Sequence, residues 1–258
     1  MTKHIAQSVI ITRPRAQADA LARRVAALGR DAIVFPLIEI HPLADPAPLL
    51  AALADLSSYA MVAFVSPNAI DAVFAVLRSW PMQVALAVMG EGSRRALGHY
   101  GVTVANATII SPVDPERTDS QTLLDALDVG ALRDQRVLIV RGEAGRELLA
   151  DALRAAGAQV TQVAAYRRQA PDLDQARRKQ LGQLLDSRND WIVTSSEALR
   201  IAMQMAEQAC GAAGVAKMQQ QTIIVPHVRI QETAQMLGFR HITLTGSGDE
   251  RLLAALQS

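Results

Sequence analysis

Residues 9–40 read VIITRPRAQADALARRVAALGRDAIVFPLIEI, and residues 137–168 read VLIVRGEAGRELLADALRAAGAQVTQVAAYRR. Each begins with a short β-branched run, turns through an arginine, and continues into an amphipathic segment that stops at a glycine. In the first copy Val9–Thr12 reads as a strand. Ala16–Leu28 reads as a helix, with Ala20, Leu21, Val25 and Leu28 at helical spacing and Gly29 as its stop. A second strand follows in each. Val9 and Val137 are 128 residues apart. A second pair, VAFVSPNAIDAVFAVL and WIVTSSEALRIAMQMA, repeats with Val62 against Ile192, 130 residues apart. A third pair is VALAVMGEGSRRALGHYGVTV with QTIIVPHVRIQETAQMLGFRHITL. Three matching elements in one order indicate two similar lobes.

Further strands are expected at Met61–Val65, Val84–Met89, Val102–Ala105, Val160–Ala164, Ile192–Thr194, Thr222–Val225 and Ile242–Thr245, with helical segments between most of them. Strand–helix alternation indicates parallel sheets with right-handed crossovers. Composition agrees: of 258 residues half are hydrophobic and only 3% aromatic, which suits sheets covered by helices on both faces. Ala32–His41 and Gln159–Gln169 are extended runs of about ten residues, interrupted or followed by Pro36, Pro42 and Pro171 and longer than an ordinary strand. Each can leave one lobe and enter the other. The expected division is residues 1–37 with 169–258 as a discontinuous first α/β domain and 38–168 as the second. A two-stranded linker would join them and a cleft would lie between.

A net charge of +1, with charges interspersed, gives no basic face for nucleic acid. One cysteine, Cys210, excludes a disulfide framework; in its Ala/Gly-rich stretch after a helix it reads as a small residue. The apolar runs are too short to span a bilayer. Met1–Ser8 is polar and lacks an apolar signal core, so the cytoplasm is expected. His4, His41, His99, His227 and His241 are scattered without metal spacing. There is no dinucleotide fingerprint, phosphate loop or nucleophile elbow. An enzyme built this way works by positioning and charge stabilisation.

In open parallel sheets ligands bind at the carboxyl ends of strands, where helix N-termini favour anions. Five such turns carry polar or basic residues: Thr12 and Arg13; Ser66, Pro67 and Asn68; Gly90, Gly92 and Ser93; Arg141 and Gly142; Thr194, Ser195 and Ser196. Each serine, threonine or asparagine is also a natural helix cap. The two arginines are equally suited to bracing strand ends. Arg229 either contacts a carboxylate or begins a surface helix over Arg229–Leu237. Tyr166, at the exit of the second long strand, either donates a hydrogen bond or proton to a ligand or packs the linker.

The chain resembles the uroporphyrinogen-III synthase family. The residues that carry the resemblance are TRP at Thr12–Pro14, the crossing FPLIEIHP, FVSPNAI at Phe64–Ile70, VMGEGS at Val88–Ser93, VLIVRG at Val137–Gly142, AAYRR at Ala164–Arg168 and IVTSSEAL at Ile192–Leu199. The resemblance implies a monomer of two flavodoxin-like domains joined by a two-stranded ladder, needing no cofactor or metal. It implies a substrate, hydroxymethylbilane, that is a linear tetrapyrrole with eight carboxylates. The terminal hydroxyl would leave as water, the last ring invert through a spiro intermediate and the macrocycle close. The tyrosine at the second crossing, here Tyr166, would assist the departing hydroxyl, and the turns named above would bind carboxylates. Transient contact with the enzyme that supplies the unstable substrate is a further expectation. One departure is the turn Pro226-His227-Val228-Arg229, where many members have a Gly-x-x-Thr type turn. The alternative from another class is a two-lobed hinge-closing binding or sensor protein without catalysis.

Overall fold

The computed structural model describes residues 8–112 and 120–257. Apart from Ser8, the N-terminal stretch considered above lies outside the described residues. In chain order the elements are β1 (Val9–Ile11), α1 (Arg15–Ala27), β2 (Ala32–Val34), β3 (Glu39–His41), α2 (Ala47–Ala54), β4 (Met61–Phe64), α3 (Pro67–Phe74), β5 (Ala85–Val88), α4 (Glu91–His99), β6 (Ile109–Ile110), α5 (Ser120–Ala126), β7 (Arg136–Gly142), α6 (Leu148–Ala155) and β8 (Gln159–Gln169). They continue with α7 (Gln175–Leu185), β9 (Asp190–Ile192), α8 (Ser196–Gln219), β10 (Thr222–Val225), α9 (Val228–Met236), β11 (His241–Leu244) and α10 (Asp249–Ala254). The chain divides into two compact units. The first takes residues up to Glu39 and from Gln169 onward; the second runs from Ile40 to Arg168.

The first unit holds the parallel sheet β11-β10-β9-β1-β2. Numbered within the unit, this is the flavodoxin-like order 2-1-3-4-5 read from the other edge. Val9, Ile10 and Ile11 are all buried, as a central parallel strand with both faces covered requires. Val9 and Ile11 pack with Ile192, Ile224, Leu21 and Val25 on one face. By alternation Ile10, Trp191 and Ile223 point to the other. At the amino end of β9 a buried polar cluster is satisfied internally: Gln221 Oε1 accepts from the Asn189 backbone N–H at 2.9 Å and from Trp191 Nε1 at 3.1 Å.

The second unit holds β3-β8-β7-β4-β5-β6, with β8 through β6 parallel. Here β7 and β8 occupy the places that β1 and β2 hold in the first unit, and β4, β5 and β6 those of β9, β10 and β11. The order is the same, but the unit is circularly permuted, because its βαβ pair comes last in the chain. Period-two alternation divides the core. Val62, Phe64, Leu138 and Val140 face α3 and α4, whereas Met61, Ala63, Val137 and Ile139 face α5 and α6.

Three expectations change. The expected strand at Val102–Ala105 is a turn, and the sheet edge is β6. Thr103 N donates to Asn106 Oδ1 at 2.8 Å, Ala105 N to Thr103 Oγ1 at 3.3 Å, and Asn106 Nδ2 to the Gly101 carbonyl at 2.8 Å. Such local side-chain bonds compete with a ladder. The first crossing is not one strand: β2 ends at Val34 and β3 starts at Glu39, with Pro36 between. A proline lacks the N–H that a ladder needs there. Cys210 does not follow a helix; it lies within α8, beside a kink at Gly211 (φ 61°, ψ −154°).

Candidate functional site

In the second unit the switch point of the sheet falls between β7 and β4. Crevices at such points are where α/β sheets bind ligands. Ser66 ends the β4 turn in extended conformation (φ −165°, ψ 158°), which a following proline favours, and Pro67 opens α3. Ser66 Oγ caps α3 by accepting from Ala69 N at 3.2 Å.

The same Ser66 Oγ lies 3.0 Å from the Tyr166 hydroxyl. Tyr166 reaches it through an irregularity in the ladder. Arg141 pairs with Ala164, but Gly142 pairs with Tyr166, so Ala165 is an extra residue. Strict alternation would send Ala165 and Tyr166 to opposite faces. The bulge instead brings both into the cluster with Val163, Val140 and Ile70. Tyr166 is 5% exposed. Its ring covers Gly142, where an added Cβ would stand 3.1 Å from Cζ and 3.3 Å from the hydroxyl oxygen.

The neighbouring β5 turn uses Gly90 at φ 153°, outside the range of most side chains. Ser93 is buried and its N–H donates to the Gly90 carbonyl at 3.0 Å. A Cβ on Gly92 would meet Pro67 Cγ at 3.8 Å, so α4 starts beside α3. Ser66, Pro67, Asn68, Gly90, Gly92, Ser93, Gly142 and Tyr166 thus share the carboxyl edge of one sheet. Arg141 lies there too, but its side chain is 10% exposed and engaged. Nη1 donates to Glu147 Oε1 at 2.5 Å and to Gln162 Oε1 at 2.8 Å, and Gln162 Nε2 donates to Glu147 Oε2 at 2.5 Å. The Gln162 and Arg141 hydrogen bonds hold the Glu147 carboxyl below its ordinary range.

In the first unit the switch point lies between β1 and β9. Thr12 is buried, and its Oγ1 donates to the Ile192 carbonyl at 2.8 Å. Arg13 Nη1 donates to Asp249 Oδ1 at 2.7 Å, at the start of α10. Ser195 caps α8, accepting from Glu197 N at 3.1 Å and Ala198 N at 3.4 Å. The Ser196 and Thr233 hydroxyls are 2.9 Å apart, which ties the start of α8 to the middle of α9, and Thr194 lies in the turn between β9 and α8. His227 Nδ1 caps α9 by accepting from the Arg229 backbone N–H at 3.2 Å, and Arg229 itself is exposed.

Arg177 was not singled out from the sequence. Its guanidinium stacks over the Phe35 ring, 4.7 Å from the centroid, and donates to the Pro36 carbonyl. Its Nε is buried with no hydrogen-bond partner among the described residues. Burial lowers its pKa, against the pull of Glu39 and Asp174. It secures the segment after β2 to the first turn of α7. Only its place just beyond the second crossing hinted at this.

Among the described residues no three His, Cys, Asp or Glu side chains come together as a metal site would need. No described helix is long and apolar enough to cross a membrane.

A family profile described as uroporphyrinogen-III synthase HemD matches residues 19–247. The chain belongs to the uroporphyrinogen-III synthase family. That places it among enzymes of tetrapyrrole synthesis. The uroporphyrinogen-III synthase of Salmonella typhimurium is 31% identical over 97% of this chain and its own full length. That of Escherichia coli is 30% identical over the same shares. Among solved structures, uroporphyrinogen-III synthetase from Helicobacter pylori shares the fold with a TM-score of 0.61 at 15% identity, covering 97% of this chain and 99% of that one. A mutant uroporphyrinogen III synthase from Thermus thermophilus matches with a TM-score of 0.57 at 14% identity, over 97% and 96%.

Proposed function

We propose that this chain converts hydroxymethylbilane to uroporphyrinogen III as a cofactor-independent hydro-lyase, with Tyr166 as the proton donor to the departing hydroxyl. The observation that carries this reading is the placement of the Tyr166 hydroxyl at the switch point of the second unit, 3.0 Å from Ser66 Oγ. The bond between the terminal methylene and its oxygen breaks with the electron pair leaving on oxygen. The phenol proton joins that oxygen, and water departs. Electron release from the pyrrole nitrogen makes this ionisation easy, so mild acid assistance is enough. The freed methylene bonds to the already substituted α-carbon of the last ring to give the spiro intermediate, the bond from that carbon to its original bridging methylene breaks, and that methylene bonds to the free α-carbon of the same ring. Closure of the ring releases one proton from a ring carbon, which restores the phenol.

In each unit substrate carboxylates would be drawn to the positive N-terminal ends of the helices at the carboxyl edge of its sheet, α3 and α4 in the second unit and α1, α8 and α9 in the first. Thr12, Arg13 and Arg141 would act in this scheme by holding those turns in shape, since their side chains already carry internal partners.

The test supplies enzymatically generated hydroxymethylbilane, oxidises the product and separates the isomers. Type III product above the spontaneous type I background is the expected result; type I alone would overturn the assignment. Tyr166→Phe is expected to lower kcat by about tenfold or more while changing KM far less, because the phenol acts in the transition state. Parental kcat in that variant would return Tyr166 to a packing role.

A further inference from the structure

We propose that Ser66 is a positioning residue that donates its own hydroxyl proton to the Tyr166 oxygen, so that the tyrosine proton is directed outward to the leaving group. The inference rests on the reading of Tyr166 as proton donor and fixes how that group is oriented. A hydrogen bond between two hydroxyls runs in either direction, and the 3.0 Å separation alone does not say which. The serine's other partner, taken together with the tyrosine's role, does.

Ser66 Oγ already accepts from Ala69 N as the cap of α3. A serine hydroxyl has one proton to give. Among the described residues the Tyr166 oxygen is the only acceptor within reach of that proton. If Tyr166 donated to Ser66 instead, Ser66 Oγ would accept twice and its own proton would have no partner. With the Tyr166 proton committed to the leaving group, donation by Ser66 is the arrangement in which each of these donors has a partner. The positive end of α3, eight residues long, further favours a serine that gives up positive charge toward its neighbour.

The consequence is a directed chain. Ala69 N–H donates to Ser66 Oγ, Ser66 O–H donates to the Tyr166 oxygen, and the Tyr166 O–H remains for the substrate. As the proton leaves Tyr166, charge grows on the phenolic oxygen and the Ser66 bond becomes charge-assisted. Ser66 therefore contributes more in the transition state than before it. No covalent bond to Ser66 forms or breaks.

The test separates donation from capping. Ser66→Gly removes the hydroxyl but keeps a residue tolerated at a cap. Its kcat is expected to fall by about 10-fold or more, with KM nearly unchanged, the loss expected for a hydrogen bond to a charged group. Ser66→Thr, which restores a hydroxyl, is expected to recover most of that loss. Ser66→Asp still caps α3 but only accepts, so it should turn Tyr166 into a donor and silence it. The direct readout is the tyrosine Fermi doublet in the resonance Raman difference between the parent and Tyr166→Phe. Its higher-frequency component should be the stronger in the parent, as for an accepting hydroxyl, and the weaker on the Ser66→Asp background.

A parent spectrum with the order of a pure donor would overturn the proposal, whether or not any variant folds. So would folded Ser66→Gly with parental kcat while Tyr166→Phe is impaired. Parental kcat in Tyr166→Phe would instead remove the underlying role of the tyrosine, and the Raman result would still report the direction of the bond.

Discussion

Gly142 lies so close under the Tyr166 ring that its missing Cβ is a condition for the ring's position. The contact distances of 3.1–3.3 Å require the phenol to give way by a few tenths of an ångström if alanine is introduced. Gly142→Ala should therefore cost stability by about 1–3 kcal/mol through overpacking and lower turnover by displacing the hydroxyl. Thermal melts and steady-state kinetics on one preparation would check both. Arg141 poses a different test. From sequence, an arginine at a strand end beside an anion-binding turn is equally a ligand or a brace, because its partners Glu147 and Gln162 become neighbours only in the folded unit. Bracing predicts that Arg141→Ala lowers the melting temperature by several degrees. The Glu147 carboxyl lies below its ordinary value, so the pair's contribution is present at neutral pH and lost as pH falls through the folded-state value. The difference in melting temperature between parent and Glu147→Gln should therefore be largest near neutrality and vanish in acid. A constant difference would contradict this.

At the level of elements, periodicity located most strands, and the two helices it bounded at Ala16–Leu28 and Arg229–Leu237, to within a residue or two, since buried parallel strands are nearly continuous apolar runs. It failed where side chains bind their own backbone, as at Thr103 and Asn106, because a valine alternation looks the same in a strand and in such a turn. It also could not foresee the bulge that turns Tyr166 onto the face of Ala165. The bulge depends on register with β7, not on any local pattern. The kink in α8 is another such feature. Gly211 occupies a region of backbone space closed to residues with a Cβ, and a Cβ on Gly214 would stand 2.3 Å from the Ala206 carbonyl oxygen. Gly211→Ala should destabilise the chain by about 1–3 kcal/mol. An unchanged urea midpoint would show instead that the helix can straighten.

For the whole molecule, the internal repeat made two like units legible, because a repeated order of elements implies a repeated architecture. Each unit has its own core and its own tryptophan: Trp191 is fully buried in the first, and Trp80 packs against Phe64 and Phe74 in the second. Chains of several domains commonly depart from two-state unfolding. Denaturation of Trp80→Phe and Trp191→Phe, each followed by its remaining tryptophan, should give non-coincident transitions, whereas superimposable curves would show the units melting as one.

The permuted order of the second unit bears on how the chain matures on the ribosome. Its strands β4 to β8 are contiguous, so the unit can close as soon as β8 has emerged. The strand β1, synthesised first, must wait for β9, with which Val9, Ile10 and Ile11 pair opposite Asp190, Trp191 and Ile192. Until then the opening βαβ segment has an uncovered apolar edge and a long loop to close. The older end of the polypeptide is thus the later to reach its native form, and the interval is when a chaperone has most to protect.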